Sequence, residues 1–180
     1  MTTPSHLALR NSKGFTLIEL VTTVAVIGIL AALCVPAMVR AKVSGNEASA
    51  IASLKAINAA EAAYSAAASS GDFAAQLSVL ATPCPGQSTA FISPDLAADP
   101  SMKSGYTITL SAGTAPPGAD DCNGVATSRG YYLTAVPLNR QMSGRRGFAT
   151  SSRQTIYVDP GGAAPSEASM ASGGGGRPLQ

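Results

Sequence analysis

Between Phe15 and Val39 a single charged side chain, Glu19, interrupts an otherwise apolar run whose one other ionisable group is the Cys34 thiol. At about 1.5 Å per residue, a helix over 15–39 is about 37 Å long, enough to cross a hydrocarbon core of about 30 Å with some tilt. A secretory h-region is much shorter, and Ala31-Ala32-Leu33-Cys34 makes a poor small-residue cleavage site behind the run. The basic residues Arg10 and Lys13 lie in front of it instead. A lone carboxylate at this depth is expensive in lipid, so Glu19 needs a partner or a task.

Lys13-Gly14-Phe15-Thr16-Leu17-Ile18-Glu19-Leu20, followed directly by the span, resembles the amino terminus of type IV pilin-like proteins, the class that holds type IV pilins and the pseudopilins of type II secretion. The resemblance implies that a prepilin peptidase cuts after Gly14 and methylates the new amine of Phe15. It places Glu19 at the fifth mature position and Pro36 where the family often carries a helix-bending proline. It further implies a helical filament of identical subunits, in which Glu19 of one subunit neutralises the Phe15 amine of a neighbour. The local chemistry agrees, because cleavage leaves a positive amine one helical turn from Glu19 and a helix entering lipid must satisfy its first N–H groups. The competing reading has Glu19 merely snorkelling to the headgroups. Arg10 and Lys13 before the span are matched by Arg40 and Lys42 after it, so charge leaves the orientation tied. The resemblance breaks that tie, with the leader in the cytoplasm, the chain in the inner membrane before assembly, and the domain in the periplasm or outside. Besides the peptidase, the implied partners are a pilus assembly platform in the inner membrane and the membrane itself.

The expected organisation is a leader at 1–14, a transmembrane and assembly helix at 15–39, a globular domain at 40–160 and a flexible tail at 161–180. The fold class is α+β: one long helix, 15–68, whose second half seats an apolar stripe under a three- to four-stranded antiparallel sheet. Ala48, Ile51, Leu54, Asn58, Glu61 and Ser65 recur at helical steps, widened by Ile57 and Tyr64, and no proline falls between Pro36 and Pro83. A short helix is expected over 73–81. Tyr106 to Leu110 alternates cleanly, Tyr131 to Val136 is a second strand, and 147–150 with 155–158 make a third and fourth. Past Asp159 the Gly, Ser, Ala and Pro content reads as a mobile tail.

Cys84 and Cys122 sit among prolines, aspartates and an asparagine that favour loops. In an oxidising compartment they can close a loop worth about 4 kcal/mol; the alternative is two separate thiols. The sole histidine, His6, is in the leader, so the mature chain has no His-dependent triad and no His-ligated metal. Asp120-Asp121-Cys122-Asn123-Gly124 offers oxygen ligands without the spacing of a calcium loop and reads as a solvated turn. Neither enzyme activity nor a cofactor or metal is expected. Arg140, Arg145, Arg146 and Arg153 form the one basic cluster, which gives weak support to nucleic-acid contact and more to solvated strand ends. The formal charge of +2 is removed with Arg10 and Lys13, leaving a near-neutral chain suited to dense packing. The preferred reading is a structural subunit of a type IV pilus serving adhesion, motility or DNA uptake. The alternatives are a pseudopilin of a type II secretion system and a membrane-tethered binding protein that does not polymerise.

Overall fold

The structure, a computed structural model, describes residues 14–173 and 176–179. The leader segment 1–13, with His6, Arg10 and Lys13, lies outside the described residues. The chain divides into two compact units after Met38.

Helix α1 runs Leu17–Ala67, close to the expected bounds. Alanine density sustains it, and it ends before Ser70 and Gly71 turn to positive φ, 56° and 111°. From residue 43 onward its buried face is Val43, Glu47, Ala50, Leu54, Ile57, Glu61 and Tyr64, alternating steps of four and three. Ala48 is exposed and Ser65 only half-buried, so the stripe is turned slightly from the expected one. Fully burying Leu54 or Ile57 is worth about 1.5–3 kcal/mol each, which makes this stripe the anchor of the core.

The expected helix at 73–81 shrinks to α2, Leu77–Leu80. Phe73 instead exchanges backbone hydrogen bonds with Ser128, at 2.7 and 3.0 Å, and the helix starts only where Asp99 Oδ2 accepts from Leu77 N at 2.8 Å. A 3-10 turn follows at Pro94–Leu96.

Eight strands follow among the described residues: β1 Ser101–Lys103, β2 Tyr106–Ser111, β3 Pro117–Asp120, β4 Ala126–Ser128, β5 Tyr132–Pro137, β6 Gly147–Ser151, β7 Tyr157–Asp159 and β8 Arg177–Pro178. One antiparallel sheet has the order β1-β2-β5-β6-β7-β8, and β3 pairs with β4 as a separate ribbon. The four expected strands are β2, β5, β6 and β7, while the sheet gains β1 and β8 at its edges. Strand β1 is joined to β2 by the tight turn Ser104-Gly105, both at positive φ, 49° and 75°. Tyr106, Ile108 and Leu110 of β2 and Leu133 and Ala135 of β5 point into the core with the α1 stripe, Phe148, Ile156 and Val158. The chain is thus α+β, a long amino-terminal helix followed by an antiparallel sheet domain.

The described residues beyond 161 do not match the expected flexible tail. They hold α3, Glu167–Ser172, and β8, which pairs with β7. Ser166 caps α3 through its hydroxyl, accepting from Ser169 N at 3.3 Å, and Gly173 closes it at φ 69°. Met170 is 5% exposed, Tyr132 donates its hydroxyl to Pro165 O at 2.7 Å, and Glu167 Oε2 accepts from Thr114 N at 2.8 Å. Tyr132 alternates with core-facing Leu133, so this segment covers the second face of the sheet.

Cys84 and Cys122 form a disulfide with Cα atoms 5.6 Å apart. It ties the connector after α2 to the ribbon turn. Cys122 N also donates to Ala68 O at 2.9 Å at the end of α1. Cys84→Ser is expected to lower the unfolding free energy by about 4 kcal/mol, Cys122→Ser to do the same, and the double mutant to lose no more. Denaturant titration of the full chain in detergent checks this, and additive losses would speak for two unrelated packing defects.

Candidate processing and assembly site

Gly14, Phe15 and Thr16 precede α1 without regular structure. Its first turn is closed by a reciprocal pair. Glu19 N donates to Thr16 Oγ1 at 3.3 Å, while Glu19 Oε2 accepts from Thr16 N at 2.9 Å and from Thr16 Oγ1 at 2.7 Å. This Thr-x-x-Glu capping box satisfies two amide donors that would otherwise enter lipid bare. Thr16 is therefore a site residue that the family motif alone does not single out, although its spacing to Glu19 is visible in the sequence. Glu19 Oε1 carries no partner among the described residues.

Deeper in the segment the remaining hydroxyls are turned inward. Thr22 Oγ1 donates to Ile18 O at 2.9 Å, and Thr23 Oγ1 donates to Leu20 O at 2.8 Å. The helix thus presents hydrocarbon outward with its threonine hydroxyls satisfied within itself, as a bilayer demands. Its most apolar window has a mean hydropathy of 2.5 with none of it buried, and every described residue from 14 to 42 is exposed. Phe15 is 72% exposed. Pro36 lies inside α1, where it has no N–H to offer the Ala32 carbonyl.

Gly14 is not required by the fold, for a Cβ there would meet nothing within 4 Å and its φ is not in the left-handed region. Any demand for glycine at this position comes from a partner that approaches the backbone. Gly14→Leu is accordingly expected to fold normally yet keep its leader, giving a product longer by the leader on mass spectrometry. A normal mature chain starting at Phe15 would contradict the assigned cut.

Elsewhere the fold separates residues that the sequence groups. Of the four arginines, Arg146 is withdrawn: its Nε donates to Glu47 Oε2 at 2.8 Å, and its guanidinium lies 5.5 Å from the centre of the Phe148 ring. Burial pushes the Glu47 carboxyl upward, but bonds from Arg145 N, from the Arg146 side chain and from Arg146 N more than offset it and leave it below its usual range. Glu47 was missed as a site-building residue because an isolated glutamate in an alanine-rich helix reads as solvated. Asp121 is likewise committed: Oδ1 accepts from Asn123 N and Val125 N, each at 2.8 Å, and Oδ2 from Tyr64 Oη at 2.8 Å. The aspartate thus organises the turn beside the disulfide.

Residues 9–35 match the family model described as the prokaryotic N-terminal methylation motif, which spans Gly14, Phe15, the capping box and most of the exposed apolar segment. This motif, with the long apolar helix, supports a type IV pilin-like protein. No curated protein and no solved structure matches it. The pilin-like assignment thus rests on the motif together with the long apolar helix. In this pilin-like chain the motif implies processing by a prepilin peptidase, and the apolar helix is consistent with membrane anchoring before assembly. The class is structural, and it includes pilins and pseudopilins alike.

Proposed function

We propose that this chain is the structural subunit of a type IV pilus, cut after Gly14, methylated on Phe15 and polymerised through its apolar helix. The observation that carries the reading is the wholly exposed segment 15–39, whose hydroxyls are satisfied internally and whose lone carboxylate sits at its first turn. Such a surface needs lipid before assembly and other copies of itself afterwards. Residues 1–14 are then the leader, 15–39 the membrane and assembly segment, and 40–160 with the docked 161–173 and 176–179 the exported domain. Glu19 pairs with the Phe15 amine of the neighbouring subunit, and Pro36 lets the helix adapt to the packed core.

A pilus is favoured over a pseudopilus by the disulfide loop beside the sheet, which resembles a pilin's. Shearing cells and comparing the released fraction with the membrane fraction tests the proposal. Most of the mature chain in the sheared filaments is the expected result; a chain retained wholly in the membrane would favour a tethered binding protein.

A further inference from the structure

The connection from β5 to β6 builds a cleft of about 430 Å3 lined by Arg140, Gln141, Arg145 and Pro160. With Arg146 held by Glu47, and Arg153 on a separate surface with Tyr157, Glu167 and Met170, the two remaining arginines of the cluster meet here. Both are exposed, and neither has a carboxylate within ion-pair distance among the described residues. Asp159, next to Pro160, spends Oδ1 on Gly161 N at 2.5 Å and anchors the turn instead.

The frame under these cations is fixed before any ligand arrives. Gln141 N donates to Gly144 O at 2.8 Å and Ser143 N to Asn139 O at 2.9 Å. Asn46 Nδ2 reaches Ser143 O at 2.8 Å, Glu47 Oε1 accepts from Arg145 N at 2.9 Å, and Tyr106 Oη donates to Arg146 O at 2.8 Å. Beside Arg140, Gly162 at φ 84° leaves the room that the arginine uses: a Cβ there would stand 3.0 Å from both Arg140 Nε and Arg145 O. Two guanidiniums around one cleft repel each other, and an anion entering between them relieves that repulsion while accepting forked hydrogen bonds.

We propose that the Arg140–Arg145 cleft is a binding site for a phosphate group, with the Gln141 amide as a further donor. A phosphate monoester carries close to two negative charges at neutral pH, matching the two unpaired guanidiniums, and its oxygens suit their planar forks. The group can belong to a soluble phosphate compound or to a lipid headgroup, and the chemistry at the arginines is the same.

Isothermal titration of the full chain in uncharged maltoside micelles tests this with two probes. These are inorganic phosphate at pH 8 and dihexanoyl phosphatidic acid, a lipid whose headgroup is a phosphate monoester, below its micelle concentration. Saturable binding is expected, weakened at least tenfold by Arg140→Gln and by Arg145→Gln and less than twofold by Arg153→Gln. Arginine-dependent binding of inorganic phosphate assigns a soluble source, and such binding of the lipid alone assigns a headgroup; either supports the site. The proposal is overturned if neither probe saturates, if Arg153→Gln costs as much as the cleft variants, or if acetate binds as tightly as phosphate.

Discussion

Glu19→Gln, expressed as the sole subunit, is expected to insert and fold but to yield few or no filaments. Glutamine retains the acceptor oxygen that a capping box uses, so the first turn of α1 stays closed, while the charge that would meet a neighbour's Phe15 amine is gone. Removing a charge also makes residence in lipid easier, so failure to insert cannot explain the loss. Thr16→Ala is the converse variant. It opens the cap, at a cost of about 1 kcal/mol, but keeps the carboxylate, and most filaments should survive. Electron microscopy of the two variants, with Arg153→Gln as a surface control, separates the roles. Normal filaments from Glu19→Gln alongside none from Thr16→Ala would assign Glu19 to helix capping and remove the pairing from the account.

The second large effect comes from Glu61. Its side chain is 0% exposed, Oε2 accepts from Ala74 N at 3.0 Å, and Oε1 has no hydrogen-bond partner among the described residues. Burial pushes its carboxyl up to about 8, against which the Ala74 amide pulls only weakly. The folded chain therefore holds a proton on Glu61 that the unfolded chain, titrating near 4.5, gives up. A group raised on folding contributes fully below its unfolded value. Its contribution drains away as pH rises from 4.5 towards 8, by up to about 1.4 kcal/mol per pH unit. Asp99, raised by its own burial, adds in the same direction, whereas Glu47, lowered on folding, loses its contribution only as the medium turns acid. Wild-type chain in detergent should melt several degrees lower at pH 8 than at pH 5. Glu61→Gln should abolish most of that difference and be the more stable of the two at pH 8. An unchanged pH profile in Glu61→Gln would show that another group carries the dependence.

These two carboxylates mark how far the sequence reaches. Glu19 was legible because a charge inside a hydrocarbon-length run has few explanations, and α1 because alanine density and helical spacing agree over many turns. The β2 alternation at Tyr106, Ile108 and Leu110 was equally plain, and those residues are buried as expected. Strands β1 and β8 span three and two residues, too short for any period to show. The carboxy-terminal segment was misread because its glycine and serine content outweighed three local signals: Ser166 as a cap, Met170 as an anchor and Gly173 as a stop. Glu47 and Arg146 are 99 positions apart and meet only once β6 is paired, so no local pattern announces them.

The central claim is that this chain builds a filament from its own exposed helix. Imaging surface filaments, with antibody against the sheet domain, on cells with and without the chain tests it most directly. The account predicts filaments labelled along their length, lost on deletion and restored by the intact gene. Filaments unchanged in number and form without the chain would contradict it.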